Sequence, residues 1–434
     1  MKKLMMLFVA ALTLSSVATA QFRLDVEGNK KKIASSDSDI QNSNKAAKAN
    51  TWVTRGNVYY AADVAPTAPL YRGMNVVNIN LLVGRPTETK EEVIDGNPFE
   101  VWVYPHFDLY LYNGELLFWK QKTFIVQNGL DVAFEAYTKA AELDSRQAAK
   151  MKAEVEKLAN QYKQYADNFF RGGDYAAAGR DFARAYEITA SPLMNQPDTL
   201  SAFNAGYLAD LAEDYDTALK YLDIVEKMGY YGEDGEVYYY QYIAYYFGSE
   251  DVANSERVLR EGIQKFPGNS QLIEALILLY TTTGQDASQI IPMVEEALKN
   301  DPTNYVFHFG LGLINDRLGD YAKAADEFKK AADLNPEDYA SAFNLGLTYL
   351  RQADAMLPEI NAIPINEREL YNQKLGEFNT LYKQAIPYLE RAYTLNPTEQ
   401  GVVEMLRSIY FRFRDEGSDM MQNYEKYDGI LKNM

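Results

Sequence analysis

The 434-residue sequence contains no cysteine. Disulfides, thiolate nucleophiles, cysteine-ligated metals and lipid attachment at an N-terminal cysteine are excluded, so stability has to come from packing. Histidine is nearly as scarce, at two residues. His106 and His308 have no second histidine near them, so one is expected in an exposed or structural role and the other in packing, and neither in a metal site. Basic residues are outnumbered, with 43 Lys and Arg against 61 Asp and Glu and a net charge of −18, which disfavours nucleic acid and anionic membrane surfaces as partners. The segment Arg171 to Tyr175, RGGDY, lacks the strand and the Lys-Ser/Thr of a phosphate loop. The stretch Tyr231 to Tyr238 matches only fragments of a twelve-residue calcium loop. Carboxylate pairs such as Asp214/Asp216 and Glu295/Glu296 fall in turns or on helix faces, without the arrangement of a glycosidase pair. Neither an enzyme nor a bound cofactor or metal is expected.

Apolar runs are short. Leu4 to Leu14, preceded by Lys2 and Lys3 and followed by Ala18 and Ala20, reads as a signal peptide over 1–20, cleaved before Gln21. No later segment reaches the roughly 18 apolar residues of a membrane-spanning helix. The expected product is an exported protein of the periplasm or cell envelope, with the surface or exterior as further destinations. Residues 21–44 are polar and aperiodic, and are expected to form a disordered leader.

What the chain does have is a repeat of about 34 residues. It is plainest at Leu318 to Pro336, LGDYAKAADEFKKAADLNP. Small, large and small residues spaced four and then three apart recur as Ala133/Tyr137/Ala140, Ala178/Phe182/Ala185, Ala218/Leu222/Val225, Ser255/Leu259/Gly262, Ile290/Val294/Ala297, Ala324/Phe328/Ala331 and Ala385/Leu389/Ala392. That spacing puts each trio on one helical face, where the small members admit a neighbouring helix closely. The matching first helices carry a large residue, a glycine and an aromatic one turn on, as in Trp52/Gly56/Tyr59 and Leu345/Gly346/Tyr349. Asp301-Pro302, Asn335-Pro336 and Asn396-Pro397 end second helices.

Two insertions break the period. Between the helices expected at 45–63 and 129–143 lies a β-insertion, 64–128. Asn113-Gly114 signals a hairpin between FDLYLY and ELLFWK, because the favoured two-residue turn needs positive φ at both positions. Its register would pair Leu111 with Leu116 and Leu109 with Phe118, leaving Tyr110, Tyr112, Leu117 and Trp119 on the opposite face. MNVVNINLLV and FEVWVY are read as further strands, giving at least three in a sheet docked on the helices. The second insertion, 353–381, is expected to lengthen both helices of a pair into an arm with a loop at LPEINAIPIN. Residues 401–434 should supply one more first helix and a terminal helix.

These motifs resemble the tetratricopeptide-repeat (TPR) family over 45–434, and more closely its secreted, Tyr-rich members of the Bacteroidetes type. The resemblance implies an all-α, right-handed solenoid of seven to eight helical pairs, interrupted by the small antiparallel β-insertion, that binds a protein or peptide. In the family the first helices line the groove, which implies Phe203, Tyr207, Tyr240, Phe247, Phe309 and Phe343 as groove residues. Asn204 and Asn344 match one part of the family's carboxylate clamp, but Lys163 is followed by Asp167 where asparagine is wanted, so an acidic tail is a doubtful ligand. The alternative is a structural subunit of an envelope assembly, docking through the outer face or the β-insertion. Partner identity and oligomeric state stay open.

Overall fold

Trios spaced four and three apart become second helices of antiparallel pairs in the computed structural model, which describes residues 22–94 and 96–434. The expected signal peptide, 1–20, lies outside the described residues. The chain divides into two compact units between Tyr230 and Tyr231.

The first unit opens with α1 (Val26–Gln41), α2 (Ser43–Ala46) and α3 (Ala49–Val64). The expected disordered leader is thus corrected to a helix. Asp25 caps α1 by accepting from Gly28 N–H at 2.8 Å, and Asp37 receives both Arg55 Nη1 and Tyr59 Oη of α3 at 2.6 Å. The only buried residue of α1 is Ser36, so the helix carries no apolar stripe from which to read it.

After α3 come α4 (Val76–Leu82) and the strands β1 (Glu88–Ile94), β2 (Asn97–Val103), β3 (Phe107–Tyr112) and β4 (Glu115–Gln121). The strands form one antiparallel meander in chain order. Within the segment 74–83, where a strand was expected, Val76–Leu82 is helical. Asn75 caps it by accepting from Asn78 N–H at 2.9 Å, and Ile79 and Val83 pack on Leu109, Leu111 and Leu116. The β3–β4 hairpin turns at Asn113 and Gly114, with φ of 51° and 78°. Leu111 pairs with Leu116 as expected, but a bulge at Leu117 shifts the register, so Tyr110 faces Phe118 and Leu109 faces Trp119. One extra residue inverts the alternation beyond it. Phe118 therefore joins Phe99, Val101 and Tyr110 on the second face, with the Tyr110 and Phe118 rings stacked at 4.4 Å.

The unit continues with α5 (Gly129–Leu143), α6 (Ala148–Arg171), α7 (Tyr175–Thr189), α8 (Thr199–Leu211) and α9 (Tyr215–Lys227). Its pairs are α3/α5, closed across the insertion, α6/α7 and α8/α9. A Cβ on Gly56 would lie 2.3 Å from the Tyr137 ring, so glycine there is what allows α3 and α5 to touch. Aspartates 174, 198 and 214 cap α7, α8 and α9 through their side chains, satisfying N–H groups that each helix start leaves open.

The second unit holds α10 (Glu236–Ser249), α11 (Val252–Lys265), α12 (Ser270–Thr283), α13 (Ile291–Asn300), α14 (Tyr305–Arg317), α15 (Tyr321–Leu334), α16 (Tyr339–Asp354), α17 (Leu357–Ala362), α18 (Arg368–Leu395), α19 (Gln400–Phe413) and α20 (Ser418–Leu431). Five pairs result: α10/α11, α14/α15, α16/α18 and α19/α20 pack closely, while α12 and α13 form a looser pair joined through the side chains of one core cluster. With the three of the first unit they make eight among the described residues. In the degenerate pair, Ile290 sits in a short 3₁₀ turn before α13 and is fully buried. In the arm, α18 is extended but α16 stops at Asp354. Pro358 opens a separate α17, as expected when proline disfavours helical geometry before it. Ile360 then packs on Ala353 and Phe378.

Candidate functional site

The residues implied for a groove fall in both units. In the first, Phe203 is buried, with 6% of its surface exposed, and its ring lies edge-on to Tyr230 at 5.4 Å and parallel to Tyr207 at 6.3 Å. It packs between helices. In the second unit, Tyr240 and Tyr239 meet edge-on at 5.8 Å. Phe309 is half-buried against Phe328, 5.5 Å between ring centroids, and Phe343 stacks on Tyr339 at 5.7 Å. Phe247 differs, being 60% exposed with its ring edge-on to Tyr246 at 5.1 Å.

Counting residues along the second unit shows what the aromatic reading missed. Tyr240, Glu274, Phe309 and Phe343 stand 34, 35 and 34 residues apart, so they occupy one repeat position on the successive first helices α10, α12, α14 and α16. A carboxylate therefore interrupts a row of rings. Burial pushes the Glu274 carboxyl above the usual range. One turn on, Leu278 is 54% exposed, so α12 presents an acid and an apolar side chain four apart on one face. The second unit carries 32 Asp and Glu against 18 Lys and Arg, a net of −14.

The first unit contains a buried acid–tyrosine network. Asp63 accepts from Tyr165 Oη at 3.0 Å and from the backbone N–H groups of Gly129 and Leu130. It thereby caps α5, whose own N-cap residue Asn128 makes no side-chain cap bond. Burial raises its carboxyl to about 6 against these favourable contacts. Asp181 is raised to about 7, by burial first, with the charges of Asp63 and Asp131 adding to it. Asp131 accepts from Tyr162 Oη at 2.7 Å and from Arg184 Nη2 at 2.6 Å. None of these contacts is visible as a local motif.

His106 Nδ1 lies 3.0 Å from Thr123 Oγ1. His308 Nδ1 lies 2.6 Å from Glu327 and its Nε2 3.3 Å from the Pro302 carbonyl, so this histidine ties a turn to the next helix. Lys163 is paired with Asp198 at 3.1 Å. Among the described residues no group of three or more His, Asp or Glu side chains is arranged to hold a metal, and no helix is long and apolar enough to cross a membrane.

Residues 291–339 and 316–355 match the tetratricopeptide repeat family. Residues 291–355 carry tetratricopeptide repeats. The matched span covers α13 to α16, where the small–large–small trio of α15 meets the glycine-bearing first helix α14, and α3/α5 and α8/α9 repeat that construction through Gly56 against Tyr137 and Gly206 against Leu222. No curated protein sequence matches the chain. Among solved structures, a TPR repeats protein from Bacteroides fragilis is similar at 22% identity, covering 58% of this chain and 97% of its own, with a TM-score of 0.30. MamA of strain AMB-1 is similar at 20% identity over 46% of this chain and 92% of its own, TM-score 0.32. A monomeric mutant of IFIT1 with Gppp-AAAA is similar at 17% identity over 69% of each chain, TM-score 0.36. At such scores the TPR assignment rests on the repeat match and on the helical pairs themselves. TPR pairs of this kind form a scaffold suited to protein–protein interaction.

Proposed function

We propose that this exported TPR scaffold binds a segment of a protein partner on the first-helix face of its second unit, and that the segment combines apolar anchors with a basic residue. The observation that carries this reading is the exposure of Phe247 on α10 and Leu278 on α12, consecutive first helices, with Glu274 one turn before Leu278 in the row of Tyr240, Phe309 and Phe343. Large apolar groups left in water gain about 1.5–3 kcal/mol each when a partner covers them fully. A half-buried carboxylate gains most from a cationic partner. The net charge of −14 attracts basic segments and repels acidic ones.

The test is a peptide panel in which Leu and Phe anchors flank Lys, norleucine or Glu. Lys peptides should bind tightest, and Glu274→Gln should erase the preference for Lys over norleucine while leaving anchor binding in place. Equal binding of Lys and Glu peptides by the unaltered protein would defeat the reading. Export to the periplasm or cell envelope belongs to the same proposal, supported by the charged and apolar pattern of residues 1–20.

A further inference from the structure

The charge of the chain is segregated. Residues 22–85 carry nine Lys and Arg against five Asp and Glu, a net of +4. Residues 86–434 carry 32 against 56, a net of −24. Within the positive region lies α4, which is apolar on both sides. Ile79 and Val83 face the sheet, while Val77 and Leu81, four residues apart, are 73% and 52% exposed. Asn80 continues that outer face, Arg85 follows just beyond the helix end at Gly84 (φ 99°), and the segment from Val76 to Arg85 carries no carboxylate. Phe22 N–H donates to the Leu82 carbonyl at 3.0 Å, which brings Arg23 beside the end of the helix. Neither Arg23 nor Arg85 makes an ion pair or side-chain hydrogen bond among the described residues. Tyr71, also exposed, accepts from Asn78 Nδ2 at 3.2 Å, and so sets a ring and a hydroxyl at the same rim.

We propose that α4 with Arg23 and Arg85 is a docking element for an anionic lipid surface. Val77 and Leu81 enter the boundary between headgroups and acyl chains, and the two guanidiniums take lipid phosphates, which they match as paired donors. Charge complementarity favours lipid over a protein face. Both unpaired cations flank the C-terminal end of α4, and the segment from Val76 to Arg85 carries no carboxylate, so an anionic surface meets local attraction there without repulsion from the helix itself. Two small anchors and two charges give weak, reversible attachment, in contrast to a spanning helix.

The experiment uses the chain from Gln21 onward, because the apolar run Leu4 to Leu14 would bind bilayers by itself. Co-sedimentation is measured with vesicles of phosphatidylcholine containing about a third phosphatidylglycerol, and with pure phosphatidylcholine. Binding is expected to the anionic vesicles, to fall with added salt, and to be at least about tenfold weaker on pure phosphatidylcholine. Val77→Asp with Leu81→Asp, and separately Arg23→Glu with Arg85→Glu, should each reduce it at least about tenfold while the helical circular-dichroism spectrum is retained. These side chains are exposed, so folding is not at stake. No binding to anionic vesicles, or binding undiminished by both double substitutions, overturns the proposal. So does a patch whose substitution disturbs only contact with a protein.

Discussion

The Asn168 carboxamide of α6 takes both backbone groups of Trp119 in β4. Trp119 N–H donates to Asn168 Oδ1 at 2.9 Å, and Asn168 Nδ2 donates to the Trp119 carbonyl at 2.8 Å. A side chain thus acts as the next strand for an edge residue that would otherwise be open to pairing with another chain. This contact, with Phe118 lying against Gly172 and Arg72 reaching Asp167 at 3.6 Å, fixes the sheet to the end of α6. Replacing Asn168 by Ala should cost about 1–3 kcal/mol at this junction. Hydrogen exchange at the Trp119 amide should accelerate by at least about tenfold while the helices keep their protection; unaltered exchange at Trp119 would show that the clamp is idle.

Asp63 makes the first unit sensitive to pH. Its carboxyl sits at about 6 when folded and near 3.8 when exposed, so the native state holds the proton more tightly than the unfolded chain. The sign follows: stability is greatest below the unfolded value and declines as pH rises through 4 to 6, by up to about 3 kcal/mol. Asp181, at about 7, extends the decline in the same direction. Asp63→Asn keeps an acceptor for Gly129 and Leu130 without the charge. It should raise urea resistance at pH 8 by about 1–3 kcal/mol and flatten the pH dependence between 4.5 and 7, and a variant less stable than the original at pH 8 would contradict the assignment.

Two glycines in helix interiors should respond oppositely to alanine. A Cβ on Gly312 would fall 2.5 Å from the Phe328 ring, whereas nothing lies within 4 Å of one on Gly376 in α18. Alanine is favoured over glycine in a helix by about 1 kcal/mol, but overpacking costs about 1–3 kcal/mol. Gly312→Ala should therefore lower the melting temperature and Gly376→Ala raise it slightly. Stabilisation by both would mean that α14 and α15 are not in close contact at Gly312 and Phe328.

The repeats were legible because the spacing of small and large residues selects a helical face without reference to anything distant. The trio around Phe328 names its partner helix through Gly312. The Asn113-Gly114 turn was legible for the same local reason. What escaped depends on remote or polar contacts. The α1 helix is held by Asp37 through Arg55 and Tyr59, with no apolar period. Residues 74–83 are rich in Val and Leu and read as a strand, yet their start is fixed by the Asn75 cap and their fate by packing on Leu109 and Leu111. The Leu117 bulge moved Phe118 to the other face, which alternation alone cannot foresee. At the candidate site, reading for aromatics found Tyr240, Phe309 and Phe343 but passed over Glu274, the acid in the same repeat position. It also included Phe203, which packing buries.

The most direct test of a partner segment lying on the first-helix face is photo-crosslinking in intact cells, with the crosslinking residue placed at Phe247 or, for comparison, at Lys329 on the second helix α15. The account predicts one dominant adduct from position 247, traced by mass spectrometry to a segment with apolar residues and net positive charge, and lost when Leu278→Asp is added. An adduct formed equally well or only from position 329, or one traced to an acidic segment, would contradict it.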